Sequence, residues 1–266
     1  MTQSTDSLDL DSLLASARFA AHRAGSYLVG ARETTVESVL KADASPVSEA
    51  DLIADSLIRE LLDETRLDVI SEESGNEQDP TGPYWLVDPL DGTKEFLKGD
   101  PHFTVNIALM VESQPIIGVV VAPALNEEHF ALNIRKQINE PALEVCHSVE
   151  EVRIVCSQSH PEGEVALFRG AAVPLKVHLM GSAIKFARIS AGIASVYPRL
   201  AGSSEWDTAA GHALVEAAGG GVVEWPTLRP LSYGKPHRRN PGFIAYGAGC
   251  DVRRLLSSEA LKQVKQ

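Results

Sequence analysis

The sequence predicts a layered α/β fold. Helical and strand-like patterns alternate along the second half of the chain, and the first half contains one section rich in hairpin signals. Such a mixture is typical of stacked layers of helices and sheets. The chain has 266 residues, of which 44% are hydrophobic, so it can supply the core of one large domain or of two packed halves. We expect a single unit over residues 1–266, with an α+β half at 1–140 and an α/β half at 151–266.

Two amphipathic helices are predicted near the start of the chain. Apolar residues between Leu10 and Leu28 recur every three or four positions, which predicts a helix with one buried stripe. A second helix is predicted to begin at Ser48-Glu49-Ala50-Asp51, where the spacing of serine and acid is a variant of the capping box.

Strands make up most of the remaining first half. Short apolar runs predict strands at 69–70 and 84–87, and two longer runs flank a polar turn and predict a hairpin at 104–121. A further strand near 129–133 is expected beside the hairpin, and residues 134–150 are expected to be a connection.

The second half alternates strands and helices. Gly219-Gly220-Gly221 is typical of a helix C-terminus. The predicted strands lie at 152–156, 173–179, 194–197 and 243–246, and the predicted helices at 162–169, 182–191, 206–218 and the C-terminus.

Composition limits the possible partners and compartments. The net charge of −12 disfavours binding to a nucleic-acid polymer or to an anionic membrane surface. Three cysteines without metal-ligand spacing argue against a disulfide framework and favour a reducing cytoplasm. The chain starts without the features of a secretory signal, and no run approaches the roughly 20 apolar residues of a membrane span. We therefore expect a cytoplasmic protein with no integral membrane segment, although peripheral association with the inner membrane stays open and no oligomeric state is predicted.

The segment 85–94, Trp-Leu-Val-Asp-Pro-Leu-Asp-Gly-Thr-Lys, carries the strongest chemical signal. A predicted buried strand ends here, and Asp88, Asp91 and Thr93 follow on a turn shaped by proline and glycine. Carboxylate oxygens on a strand-end loop suit Mg²⁺, which usually meets proteins through carboxylates and substrate phosphate. The segment therefore favours metal-assisted phosphate chemistry, and a surface turn is the ordinary alternative.

Four further acids are candidates for the same site. Glu72 and Glu73 follow a short strand, and Asp51 and Asp207 each stand three residues after a serine. A solvated turn for the glutamates and helix capping for the aspartates are the ordinary alternatives. Two like charges about 4 Å apart repel by about 4 kcal/mol at an effective dielectric constant near 20. If these acids converge, two or three Mg²⁺ ions would neutralise them and leave a positive potential for a phosphate.

Together these motifs resemble the Mg²⁺-dependent, lithium-sensitive phosphatase superfamily of inositol monophosphatase and fructose bisphosphatase. The likeness rests on Glu-Glu at 72–73, Asp-Pro-Leu-Asp-Gly-Thr at 88–93 and Trp-Asp at 206–207. Within the superfamily the chain is most similar to the CysQ-type 3'(2'),5'-bisphosphate nucleotidases, through Ser-Gln-Ser-His at 157–160 and Tyr-Pro-Arg at 197–199 among other segments. The resemblance implies an α/β/α/β/α sandwich of the inositol monophosphatase type, with metal-binding residues in the first half and substrate-specificity residues in the second.

The resemblance also implies a role for individual residues. Asp51 and Thr93 would orient and deprotonate the attacking water, and the choice of Glu72 over Glu73 stays open at this stage. The metal ligands would be Glu72, Asp88, the Leu90 carbonyl, Asp91 and Asp207. The substrate would be bound by Gly92, Thr93, His160, Gly181, Ser182, Lys185 and Arg199.

Some of these substrate residues also have a physical argument or an ordinary explanation of their own. Gly92 would let the backbone approach a phosphate, and Gly181-Ser182 at a predicted helix start would offer N–H groups to the phosphate that is not cleaved. Each also has an ordinary explanation, such as a solvated lysine for Lys185. The basic cluster Lys235, His237, Arg238 and Arg239 is interpreted as a solvated loop.

The predicted function is Mg²⁺-dependent hydrolysis of adenosine 3',5'-bisphosphate to AMP and phosphate, with a role in sulfur metabolism that follows from the resemblance alone. The alternatives are an inositol monophosphatase or fructose 1,6-bisphosphatase and, from another class, a regulator that binds a phosphorylated ligand without turnover. His160, Lys185 and Arg199 favour a substrate with two phosphates over inositol monophosphate.

Overall fold

A computed structural model describes residues 8–32, 38–40, 46–74, 80–133, 151–158, 161–170 and 173–264. For residues 38–40 and 46–48 only the backbone is described. The expected connection at 134–150 and His160 lie outside the described residues. Within the described residues, no helix is both long and apolar enough to cross a membrane.

The first half of the chain forms a five-stranded sheet whose strand order follows the sequence. β3 and β4 are parallel, and the other neighbouring pairs are antiparallel. A small antiparallel pair, β1 (Ser38–Leu40) and β2 (Pro46–Ser48), precedes it. The sheet comprises β3 (Asp68–Ser71), β4 (Tyr84–Asp91), β5 (Thr104–Val111), β6 (Gln114–Ala122) and β7 (Glu127–Leu132).

Both faces of this sheet are covered because side chains alternate across the pleat. Trp85, Ile107 and Val119 belong to a core cluster with two helices, α1 (Leu10–Arg32) and α2 (Glu49–Leu62). Leu86, Ala108 and Val120 point to the opposite face and enter a second cluster. This double burial explains why β4 to β6 are almost continuously apolar in sequence.

The second half forms a mixed five-stranded sheet. Its strands are β8 (Val152–Cys156), β9 (Leu175–Leu179), β10 (Val196–Arg199), β12 (Gly221–Glu224) and β14 (Phe243–Tyr246). They lie in the order β12-β14-β10-β8-β9. β8 is parallel to β9 and β10, and β14 is antiparallel to β10 and β12.

The helices of the second half complete five layers. α5 (Ile184–Ser190) and α6 (Ala209–Ala217) share a core cluster with residues from both large sheets, so they lie between them. A third cluster packs the outer face of the second sheet against the C-terminal helices. The remaining helices are the short α3 (Thr93–Leu97) in the first half and α4 (Pro161–Ala166), α7 (Val252–Leu255) and α8 (Ser258–Gln263) in the second. The predicted α/β/α/β/α sandwich is confirmed.

Several boundaries differ from the sequence prediction in ways that affect the site. β4 continues to Asp91 instead of ending at 87, α5 begins at Ile184 instead of 182, and α6 begins at Ala209 instead of 206. The predicted single C-terminal helix is two short helices. A two-stranded ribbon of β11 (Ser203–Ser204) and β13 (Arg239–Asn240) was not predicted, because its strands are two residues long and lie 35 residues apart.

Candidate active site

The end of β4 places two carboxylates where the strand becomes irregular. Asp88 faces Asn106 across the β4–β5 pair, and the register shifts between Asp88 and Asp91. The Leu90 N–H donates to Asp88 Oδ1 at 3.1 Å, and the Asn106 side chain donates to Asp91 Oδ2 at 3.2 Å. A register shift of this kind bends a strand and re-aims its side chains. The carboxylates therefore lie within an irregular strand, not on a turn beyond it.

Gly92 ends this strand with a conformation that favours glycine. Its φ is +94°, and a Cβ there would lie 3.1 Å from the His102 carbonyl oxygen. Gly92 therefore packs tightly against the backbone of residues 102–103. The contact between Gly92 and a phosphate stays a prediction.

Asp51 and Thr93 are 42 positions apart and meet in the structure. The Thr93 hydroxyl lies 3.2 Å from Asp51 Oδ1 and 3.2 Å from the Leu90 carbonyl oxygen. Asp51 is 2% exposed and stands in the first turn of α2. A buried carboxylate beside a hydroxyl can hold that hydroxyl in one orientation and can accept a proton.

Five acids lie close enough together for their charges to affect the pKa of Asp88. Burial raises the pKa of the Asp88 carboxyl well above its ordinary value, and the charges of Glu72, Asp91, Asp207 and Asp51 raise it further. Burial, followed by the charge of Asp91, raises the pKa of Asp207 to about 8. All four predicted acidic ligands and Asp51 therefore interact, which their positions in the sequence could not establish.

The surroundings of Asp91 limit the rise in its pKa. Burial raises its pKa, while the Lys185 charge and hydrogen bonds from Asn106 and the Ala183 N–H oppose the rise. Asp91 and Asp207 are only half-buried and line a pocket, but the surrounding protein keeps much of the water away from their carboxylates.

The donor set fits a hard divalent cation. Carboxylates and a backbone carbonyl are the ligands that Mg²⁺ takes, and a cation would offset the mutual repulsion of the acids. Among the residues that the structure describes, no group of three or more His, Cys, Asp and Glu side chains is already arranged as a metal cage.

Glu72 lies close enough to the other acids to affect their pKa values. It lies in a 3₁₀ turn, Glu72–Ser74, directly after β3, and its charge raises the pKa values of both Asp88 and Asp207. This supports Glu72 over its neighbour Glu73 as the predicted ligand.

Asp207 lies in a turn before α6, so the predicted position in the first helical turn is wrong. The Ser204 N–H donates to Asp207 Oδ2 at 2.9 Å, and the residue before the helix is Thr208. The carboxylate therefore closes the turn on the serine backbone, and the Ser204 side chain does not cap the helix.

Two cationic side chains line the same pocket as the acids. Its lining includes Asp91 and Asp207 together with Lys185 and Arg199. Lys185 is 3% exposed, and its ammonium donates to the carbonyls of Ser182 at 2.7 Å and Met180 at 3.3 Å. Burial lowers the pKa of Lys185 to about 8, and the Asp91 charge opposes that effect.

The predicted anion site at a helix start is wrong in one respect. Ser182 has φ +48° and lies outside α5, which begins two residues later and is only seven residues long. The Ala183 N–H hydrogen-bonds to the Asp91 carboxylate. Gly181 packs tightly, because a Cβ there would lie 2.6 Å from the His102 carbonyl oxygen. Both residues do line the pocket.

Three polar atoms at the pocket are available for a ligand. Among the described residues, Ser182 Oγ, Arg199 Nε and Ser203 Oγ are buried without a hydrogen-bond partner. Buried polar groups are normally paired, so an unpaired set in one pocket favours a polar ligand there.

Sequence reasoning missed two polar residues of the site. Asn106 binds Asp91, and Glu164 is 3% exposed and close enough to Arg199 and Lys185 for their charges to oppose the rise in its pKa caused by burial. An asparagine in an otherwise apolar predicted strand was an available signal for Asn106. Glu164 gave no signal, because an acid in a short polar helix is ordinary.

This arrangement of five layers and an acid-rich strand end is that of the inositol monophosphatase family. The chain belongs to this family, whose sequence model matches residues 9–237. Family membership implies an enzyme that depends on a divalent metal ion.

Similar sequences narrow the comparison to one kind of enzyme within the family. The chain is 40% identical over 223 residues to the 3'(2'),5'-bisphosphate nucleotidases CysQ of Shigella flexneri and Escherichia coli strain K12. These matches cover 78% of this chain and 88% of each relative.

Solved structures also show similarity to the inositol monophosphatase family and to a CysQ protein. The crystal structure of CysQ from Bacteroides thetaiotaomicron matches with a TM-score of 0.75 and 33% identity, over 90% of this chain and 98% of that one. The suhB protein of Bartonella henselae matches with a TM-score of 0.74 and 26% identity, over 95% of this chain and 99% of that one.

Proposed function

We propose that this chain is a Mg²⁺-dependent 3'(2'),5'-bisphosphate nucleotidase that converts adenosine 3',5'-bisphosphate to AMP and phosphate. The observation that carries the proposal is the pocket that Asp91 and Asp207 line together with Lys185 and Arg199. The carboxylates suit cations, and the ammonium and guanidinium suit an additional anionic group. A substrate with two phosphates uses both, with one phosphate cleaved beside the acids and the other retained beside the cations.

The chain's own residues supply positioning and proton transfer. Bound Mg²⁺, two or three ions held by Glu72, Asp88, Leu90 O, Asp91 and Asp207, would neutralise phosphate charge and acidify water. Asp51 and the Thr93 hydroxyl, 3.2 Å apart, would orient the attacking water and accept its proton. The water oxygen forms a bond to phosphorus, the bond to the ribose 3'-oxygen breaks, and the departing 3'-oxygen takes a proton from solvent to give the 3'-hydroxyl of AMP. Phosphoryl transfer depends mainly on such positioning and on charge stabilisation.

The retained phosphate would be bound by the cationic side chains and by Ser182. Lys185 offers a buried ammonium, Arg199 an unpaired Nε and Ser182 an unpaired hydroxyl. His160 remains part of this proposal on the resemblance alone.

A panel of phosphate-release assays tests the proposal. We expect kcat/KM for adenosine 3',5'-bisphosphate at saturating Mg²⁺ to exceed the values for inositol 1-phosphate and fructose 1,6-bisphosphate by tenfold or more. A tenfold preference for either of the others would reassign the substrate class. No phosphate release from any member at any Mg²⁺ concentration would instead indicate a regulator that binds a phosphorylated ligand.

The cellular setting and the lithium response are part of the same proposal. We place the enzyme in the cytoplasm, where it would remove a by-product of sulfate activation. Li⁺ should inhibit by competing for one Mg²⁺ position, and inhibition that Mg²⁺ does not relieve would contradict the shared site.

A further inference from the structure

The turn that carries Asp207 is tied to a distant basic segment by a buried ion pair. Glu205 is fully buried, and its Oε2 lies 3.4 Å from Nη1 of Arg238. Its Oε1 accepts from the Lys235 backbone N–H at 3.0 Å, and its own N–H donates to the Arg238 carbonyl at 2.8 Å. The interpretation of Arg238 as part of a solvated loop is therefore wrong, because it is only 9% exposed.

The same guanidinium also reaches the strand that carries the other acids. Arg238 Nη1 lies 3.3 Å from the Tyr84 hydroxyl, and its guanidinium carbon lies 5.4 Å from the Tyr84 ring centre. Tyr84 is the first residue of β4, and Asp88 and Asp91 stand near the end of that strand. Arg238 thus contacts both the turn that carries Asp207 and the strand that carries Asp88 and Asp91.

The backbone at this point is held in an unfavourable conformation. His237 and Arg238 have φ values of 57° and 48°, in the left-handed region that residues with a Cβ avoid. Two successive residues of this kind persist only where their surroundings fix them, and here they turn the Arg238 side chain inward. Asn240 adds to the link, because its amide donates to the Thr208 hydroxyl at 2.7 Å and to the Ser204 carbonyl at 3.1 Å.

We infer that the Tyr84–Arg238–Glu205 contacts form a clamp that sets the separation between Asp207 and the Asp88/Asp91 pair, so that Arg238 and Glu205 are positioning residues for the metal centre. The inference rests on the proposed role of these acids. The acids repel one another, and a metal centre needs them at fixed spacing. A rigid tie between the two supporting elements lets a cation bind without first paying to bring them together.

Direct Mg²⁺ binding to the substrate-free protein tests the clamp. We expect Arg238→Met to raise the Mg²⁺ dissociation constant, measured by calorimetry, at least tenfold, and Glu205→Gln to have a similar effect. At saturating Mg²⁺ the KM for adenosine 3',5'-bisphosphate should stay within threefold of wild type, because Lys185 and Arg199 are unchanged. A purely structural role would lower the melting temperature without this shift in metal affinity.

Arg18→Met is the matched control. Arg18 forms a bidentate pair with Glu128 at 2.7 and 2.8 Å that joins α1 to β7, neither of which carries a site residue. This variant should lose thermal stability and keep its Mg²⁺ affinity. If Arg238→Met does not fold, Tyr84→Phe removes only the hydroxyl that faces Arg238 and should raise the dissociation constant about threefold to fivefold.

Three results would overturn the clamp. The first is wild-type Mg²⁺ affinity in a folded Arg238→Met or, where that variant does not fold, in Tyr84→Phe. The second is an equal loss of Mg²⁺ affinity in Arg18→Met. The third is a wild-type protein that binds no Mg²⁺. If the wild type binds Mg²⁺ but releases no phosphate from the bisphosphate, the proposed substrate fails, and the metal titration still decides the clamp.

Discussion

The two halves of the molecule contribute opposite charges to one site by different means. We call Asp88, Asp91 and the acids that interact with them the acidic wall, and Lys185 and Arg199 the cationic wall. In the first half, long strands buried on both faces end in carboxylates, and Asp88 and Asp91 come from a single irregular strand. In the second half, strands of four or five residues alternate with short helices, and the pocket receives Lys185 and Arg199. The rigid first sheet is suited to holding repelling charges together, and the second half is suited to selecting the substrate.

Asp207 is the exception that joins the two halves. It comes from the second half but interacts with the acids of the first, and Arg238 ties its turn back to β4. The comparison therefore predicts that substitutions in the acidic wall abolish chemistry, substitutions in the cationic wall change substrate preference, and substitutions at the junction affect stability.

The largest effect is expected from Asp88→Asn in the acidic wall. This change keeps the shape but removes one predicted metal ligand, so turnover should fall by about 1,000-fold or more, equivalent to about 4 kcal/mol. Without metal, the variant should be at least as stable as wild type, because the charge that four neighbouring acids oppose has gone.

Phosphate release and thermal melting in a chelator measure these two effects. Asp68→Asn, at the exposed start of β3, is the matched control and should change neither. Wild-type turnover in Asp88→Asn would remove the metal centre from this wall.

Lys185→Met tests the cationic wall. Loss of a buried ammonium should lower kcat/KM for adenosine 3',5'-bisphosphate about 100-fold, mainly through KM, and that for a simple monophosphate ester less than fivefold. Lys176→Met on the exposed side of β9 should leave both values unchanged. Equal losses for both substrates would mean that Lys185 serves the acidic wall and not the second phosphate.

Sequence alone predicted the acidic wall better than the cationic wall. The segment 85–94 is local, and its residue types specify hard-cation chemistry wherever the chain places them. That Asp51 reaches Thr93, or that Glu72 acts on Asp88, depends on contacts between elements that no local pattern encodes.

Two of the errors share one physical cause. The start of α5 and the burial of Arg238 are fixed by distant partners, whereas Asp207 is held before α6 by a local contact with the Ser204 N–H. Arg238 looked like a surface residue because its partner Glu205 lies 33 positions away. Local propensity is a weak prior that such tertiary contacts override.

Gly118→Ala tests the junction between the halves. A Cβ at Gly118 on β6 would lie 2.3 Å from the Ala210 carbonyl oxygen and 2.8 Å from the Ala213 side chain on α6, so the helix must move away from the sheet. We expect the free energy of unfolding to fall by about 2–3 kcal/mol, as measured by urea denaturation.

The matched control for Gly118 is Gly30→Ala in α1. A Cβ there meets nothing within 4 Å, and alanine favours a helix over glycine, so this variant should gain about 0.5–1 kcal/mol. An unchanged stability in Gly118→Ala would mean that the two halves are not rigidly packed at this point.

The smallest effect is expected from Arg188→Met, which removes an ion pair across the same junction. Arg188 on α5 binds Glu127 on β7 through contacts of 2.6 and 2.9 Å, and these hydrogen bonds hold the pKa of Glu127 at about 2. A carboxyl whose pKa is lowered on folding stabilises the protein above its ordinary pKa of 4.5, and this stability is lost as the pH falls towards 2. Because Glu127 is partly exposed, we expect a loss of only about 1–2 kcal/mol at pH 7.

Urea denaturation at pH 7, 4.5 and 3 should show the difference in free energy of unfolding between wild type and variant narrowing as the pH falls. His129 still lowers the pKa of Glu127 in the variant, so the variant keeps part of the pH dependence. Lys262→Met, which breaks an exposed pair with Glu259, should show no such dependence. A gap that stays constant from pH 7 to pH 3 would mean that Arg188 joins the halves by packing and not by charge.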